Sequence, residues 1–114
     1  MGTSSLLKWL AACILFASTS LVVAEETMTT AAPKAGKIRS VICIGCHGLK
    51  GEGKEAANGQ PAFPRIAGQL QSYLIKSIND YKNDSRNDPM MAAIAKGLSD
   101  IDIVNLAAFY SSQE

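Results

Sequence analysis

The chain is poor in the residues that most often announce a site. It has one histidine and three cysteines in 114 residues, and aromatic side chains make up 6% of it. A single imidazole excludes any centre that needs two histidines from this chain. Three cysteines cannot supply the two pairs that a structural zinc site commonly uses. An excess of one charge is also lacking, with 11 Lys and Arg against 10 Asp and Glu. Near-neutrality argues against a nucleic-acid partner, which calls for a basic face, and against strong long-range steering. No uninterrupted apolar run reaches the about 20 residues of a membrane-spanning helix. There is no convincing strand alternation and no internal repeat. The class expected is all-α.

The first 24 residues read as an export leader. Lys8 precedes an apolar run from Trp9 to Phe16, and Val22 and Ala24 supply the small residues of a cleavage site. A retained anchor is the alternative. Lys8 lies close to the apolar stretch, and Ser18, Thr19 and Ser20 interrupt it, so cleavage is favoured. Leu10 to Cys13 has the form of a lipoprotein box, but most of the apolar stretch follows Cys13, which is therefore taken as a bystander. Cleavage after Ala24 leaves 90 residues, with ten cations against ten anions and two cysteines. No stable membrane insertion is expected after cleavage. Ninety residues make one small domain, and such domains often need a metal, a disulfide or a cofactor.

Within that domain, residues 25–32 read as a polar, flexible arm, and residues 33–114 as the folded unit. A helix is expected from Pro33, with Ile38, Val41 and Ile42 as its apolar stripe. Residues 48–68, with Pro61, Pro64 and several glycines, read as a long loop, which needs something to wrap around. The spacing of Leu70, Tyr73, Leu74, Ile78 and Tyr81 predicts a second helix over 69–83. "MMAAIAKG" reads as a short helical turn ending at Gly97. Ser99 and Asp102 then resemble a capping box that opens a last helix with Ile103, Leu106, Ala107 and Tyr110 inward. The apolar content is thin, and a large apolar cofactor would complete it.

The chemistry lies in "CIGCH", with Cys43, Cys46 and His47. A redox dithiol of thioredoxin type wants a βαβ context that is missing. Covalent haem attachment fits each residue: cysteines at i and i+3 bring two sulfurs to one side of a turn, and the next residue offers an imidazole to the iron. C-x-x-C-H is the c-type haem signature, and the single histidine of the chain falls within it. The sixth ligand decides between electron transfer and small-molecule chemistry. Met1 leaves with the leader and Met28 lies in the arm, so Met90 and Met91 are the candidates. Nothing local chooses between them.

Together "CIGCHGLKGEG", "PAFPRIAGQ", "YLIKSINDYKN", "DPMMAAIAKGLSD" and "LAAFYSSQ" resemble class I cytochrome c. The similarity is greatest to the small bacterial cytochromes whose di-haem members repeat one such unit twice. The resemblance implies terminal helices crossing beside one covalent haem c with its iron, a third helix between them, and loops around the ring. It implies Met91 as the ligand, because in similar sequences that methionine stands eight residues before the Ser of the "LS" pair, here Ser99. It implies Pro61 rather than Pro64 as the carbonyl that accepts the hydrogen bond of the ligand histidine. Gly36 and Tyr110 match the close helix crossing. Arg65 is a candidate for a haem propionate, with a solvated surface arginine as the alternative. Arg39 stands where alanine is common and has no evident partner. Lys50, Lys54 and Lys96 form a basic rim or are plain solvated lysines. The function implied is an exported, periplasmic, monomeric mono-haem electron carrier, not an enzyme, with weak and transient redox protein partners. The rivals are a haem subunit of an oxidoreductase or peroxidase complex, and a redox or gas sensor with an open sixth position.

Overall fold

A computed structural model describes residues 30–114. The expected leader, its cleavage site and residues 25–29 of the arm lie outside the described residues. Five helices dominate: α1 (Pro33–Arg39), α2 (Ile44–His47), α3 (Gln71–Lys82), α4 (Pro89–Lys96) and α5 (Asp100–Ser111). Among the described residues, no helix is long and apolar enough to cross a membrane.

α1 opens at Pro33, as the sequence predicts. Its N-cap, Ala32, has no capping side chain of its own. The Ala32 N–H instead donates to Asn105 Oδ1 at 2.7 Å, which ties the end of the arm to α5. The helix tightens into a 3₁₀ turn over Ser40–Ile42 and continues into α2. Its buried positions are Gly36 and Ser40, not the expected stripe: Ile38 is 73% and Val41 65% exposed, and Ile42 is also on the surface. The reason is steric. A Cβ on Gly36 would lie 2.0 Å from the Asn105 carbonyl oxygen and 2.9 Å from Phe109 Cβ. The crossing of α1 and α5 is a backbone approach, and the face turned inward is the smallest one rather than the most apolar. Gly36 therefore meets Asn105 and Phe109. The Tyr110 ring packs beside Gly51, 2.7 Å from where a Cβ on that glycine would stand.

The 48–68 segment is not wholly irregular. Lys54–Glu55 (β1) and Pro61–Phe63 (β2) form a small antiparallel hairpin. Strands this short carry no readable alternation, and the mostly helical class stands. In α3, Leu74 is buried, while Leu70 and Tyr73 are exposed. α4 is capped by Asp88, whose carboxylate accepts the Met91 N–H at 2.9 Å. The capping box of α5 is present in both directions: Ser99 Oγ accepts the Asp102 N–H at 3.2 Å, and Asp102 Oδ2 accepts the Ser99 N–H at 3.1 Å. Seven of the twelve residues of α5 are buried, a wider face than the four expected, because α1 and α3 both pack on it. The core gathers Leu74, Leu98, Ile103, Leu106, Ala107, Phe109 and Tyr110.

Candidate functional site

α2 is a single helical turn. The Cys46 and His47 N–H groups both donate to the Cys43 carbonyl, at 3.2 and 2.9 Å. This turn is what a spacing of i and i+3 needs to put two sulfurs on one side. Both thiols are free. Gly48 follows with φ +89°, a left-handed conformation that glycine adopts without strain. It lets the chain reverse so that Gly53 N–H donates to the His47 carbonyl at 2.7 Å.

His47 is buried, and its Nδ1 lies 2.8 Å from the Pro64 carbonyl oxygen. A carbonyl only accepts, so Nδ1 carries the proton and Nε2 is left as the free lone pair. The Phe63 ring stands edge-on to the imidazole, with centroids 6.4 Å apart. The carbonyl partner corrects the expectation of Pro61. Pro61 is held in the hairpin opposite Glu55, and the chain passes under the imidazole only after leaving β2, at Pro64.

His47 lines a cleft between the Cys turn and the three later helices. Cys43, Leu74, Met91, Leu98 and Tyr110 line it too. Met91 thus shares a cleft with His47, whereas its neighbour Met90 is 59% exposed and does not line it. Cys46 is half-buried and outside the lining set. Burial pushes the Cys43 thiol up, opposed by the Tyr110 hydroxyl and the Arg39 charge. Burial pushes the Tyr110 phenol well above its usual range. Its oxygen makes no hydrogen bond of good geometry among the described residues, although the Cys43 thiol and the Ser40 hydroxyl are near enough to perturb it.

Among the described residues, no carboxylate lines the cleft, and two guanidiniums do, Arg65 and Arg86. Such a lining suits an apolar ligand that brings its own anionic groups. Arg86 sits over the Tyr81 ring, 4.7 Å from its centroid. It is not among the residues singled out from the sequence. The usable signal was an arginine in the short turn after a helix that faces the cleft. Arg39 has partners after all: its Nη2 donates to the Gly97 carbonyl at 3.2 Å, and its Nε lies 3.5 Å from Asp102 Oδ2. Two of the three expected rim lysines are tethered, Lys54 to the Gly45 carbonyl and Lys96 to Asp84.

The donors fit a ring-borne iron better than a bare ion. They comprise one imidazole with one free nitrogen, one thioether and two cysteine sulfurs outside any disulfide. Among the described residues, no group of three or more His, Cys, Asp and Glu is placed to hold a metal.

Comparison with known proteins agrees. Residues 37–114 match the cytochrome c family. The chain is 41% identical over 83 residues to cytochrome c-554(548) of Halomonas halodenitrificans, covering 70% of this chain and 94% of that one. It is 32% identical over 77 residues to the cytochrome subunit of sulfide dehydrogenase of Chlorobaculum tepidum, covering 68% and 64%. The crystal structure of reduced recombinant cytochrome c4 from Pseudomonas stutzeri superposes with a TM-score of 0.63 at 32% identity, over 75% of this chain and 47% of that one. The chain thus spans nearly all of the first relative and under half of the cytochrome c4 chain. The family match, the helical architecture and the C-x-x-C-H turn place the chain in the cytochrome c family, electron-transfer proteins whose cofactor is covalently bound haem c.

Proposed function

We propose that this chain is an exported mono-haem cytochrome that passes single electrons between redox proteins through an iron ligated by His47 and Met91. The observation that carries the reading is the convergence of the His47 ring, with Nδ1 already committed to Pro64, and Met91 on one apolar cleft. Cys43 and Cys46 hold the ring through two thioethers. Bound haem c supplies a reversible ferrous/ferric couple. The chain's own residues do the rest. The Pro64 carbonyl fixes the imidazole and raises its basicity. Met91 closes the sixth position with a soft ligand, and His/Met ligation raises the potential. Leu74, Leu98 and Leu106 keep water from the cleft, and Arg65 and Arg86 face the anionic groups of the ligand.

Residues 1–24 act as a leader, residues 25–32 as an arm and residues 33–114 as the haem domain, working in the periplasm. Partners dock weakly and transiently, since redox encounters use small interfaces. The protein is a monomer with no nucleic-acid partner. A second reading is favoured by one observation: a relative of comparable coverage is named as a subunit of sulfide dehydrogenase. In that reading the same haem domain serves within an oxidoreductase complex.

The test is made on protein produced with cytochrome c maturation functions. Acid-acetone extraction should leave the haem on the polypeptide, and the reduced and oxidised spectra should both be low-spin. Full extraction of the haem would remove the thioether assignment. Rapid carbon monoxide binding by the native protein would mean an open sixth position and an enzyme or sensor.

A further inference from the structure

We infer that Arg39 is a positioning residue: it pins the C-terminal end of the Met91-bearing helix and so sets how readily the sixth position opens. This rests on the reading of Met91 as the sixth ligand.

α4 is held lightly by apolar packing. Its buried residues are Ala92 and Ala95, while Met90 is 59% and Ile94 37% exposed. α3 is the helix against which it packs. Small side chains offer little surface for burial to act on. Polar links near its C-terminal end make up the difference. Lys96 reaches Asp84 at 2.8 Å, which ties the end of α4 back to the turn after α3. Just past that end, Lys82 of α3 reaches Asp100 at 3.0 Å, which fixes the start of α5.

The link made by Arg39 is of another kind. Arg39 is the last residue of α1, four before Cys43, on the continuous segment that carries Cys43, Cys46 and His47. Gly97 caps α4, on the segment that carries Met91. The Arg39–Gly97 hydrogen bond therefore joins the histidine side of the cleft to the methionine side, from outside the cleft. It is charge-assisted, and stronger than a neutral bond for that reason. A planar fork can address a carbonyl and a carboxylate together, which a point charge does less well. Here the fork reaches the Gly97 carbonyl and the Asp102 carboxylate at the start of α5. Nε is buried without a hydrogen bond of good geometry, so the guanidinium is placed for the Gly97 contact at some expense to its pairing with Asp102. A shift of α4 would carry Met91 away from the cleft, and the Arg39 bond resists that motion at the helix end.

The experiment follows imidazole entry into the ferric, fully matured protein, which is limited by departure of the methionine. Arg39→Ala should speed entry roughly three- to tenfold, the scale of one partly exposed charge-assisted hydrogen bond. Arg39→Lys keeps a charged donor and should recover most of the closure, while Arg39→Gln should recover less. Ile103→Val lowers global stability by trimming the core at a residue that does not line the cleft, so it should leave the entry rate near wild type. Should Arg39→Ala fail to mature, the contrast between Arg39→Gln and Arg39→Lys carries the same test. Entry at the wild-type rate in all Arg39 variants, or an equal acceleration in Ile103→Val, would overturn the inference. A wild-type spectrum without the methionine–iron band would instead overturn the ligand reading beneath it.

Discussion

Met90 and Met91 are adjacent, chemically identical and indistinguishable by composition. The helix separates them. Successive residues on an α-helix point about 100° apart, so only one of the pair can face the cleft, and Asp88 fixes the phase by capping at the Met91 N–H. Met91→Ala should abolish the methionine–iron absorption band, lower the reduction potential and admit external ligands. The sign follows from chemistry, since a thioether is a soft ligand that favours ferrous iron. Met90→Ala removes an exposed side chain and should leave band and potential near wild type. Loss of the band in Met90→Ala alone would move the ligand by one residue. The sequence reached Met91 only through a family spacing, and the same kind of spacing gave the wrong proline. Pro61 and Pro64 differ in which one follows the hairpin. A three-residue strand next to glycine-rich loops leaves no periodicity from which to place it. The turn that carries Cys43, Cys46 and His47 was legible because all of its determinants lie within five residues.

At the scale of elements, what could be read was local and what was missed was long-range. The start at Pro33, the stop at Gly97 and the Ser99–Asp102 box depend on neighbours within four residues, and all are present. The inward face of α1 depends on a helix some seventy residues away, and hydrophobic spacing pointed to the wrong side. Gly36→Ala tests which force decides that face. Alanine is the better helix former by about 1 kcal/mol, so propensity alone predicts a gain. The new Cβ would stand 2.0 Å from a backbone oxygen of Asn105, and neither helix can yield without losing the crossing. Overpacking of this kind costs about 1–3 kcal/mol or more, and here it should exceed the propensity gain. Thermal unfolding of the haem-loaded protein should show a midpoint lowered by several degrees, since about 1 kcal/mol corresponds to roughly 4–8 °C in a domain of this size. An unchanged or raised midpoint would mean that the crossing is looser than a backbone contact.

Taken whole, the domain divides into a tight half and a cleft half. The tight half is the crossing of α1 and α5, which needs no ligand to close it. In the cleft half, Leu74, Leu98 and Leu106 belong to the packed core and also form part of the cleft wall. Ile103 and Leu106 are the largest side chains below 2% exposure among the described residues, a thin centre for a domain of this size. Small domains bury too little surface to spare any, and a group bound only by the folded state adds its binding free energy to stability. The haem is therefore part of the core as well as the redox centre. A Cys43→Ala/Cys46→Ala chain, made without attachment, should lose most of its helical circular dichroism and its cooperative thermal transition. Residual helicity should concentrate in α1 and α5, readable as slower amide exchange there than in α3 and α4. Added free haem should restore part of the helicity, because His47 and Met91 remain to hold the iron. A haem-free chain that still unfolds cooperatively, with native helicity, would show that the side chains facing the cleft collapse on one another, and that the protein core alone supports the fold.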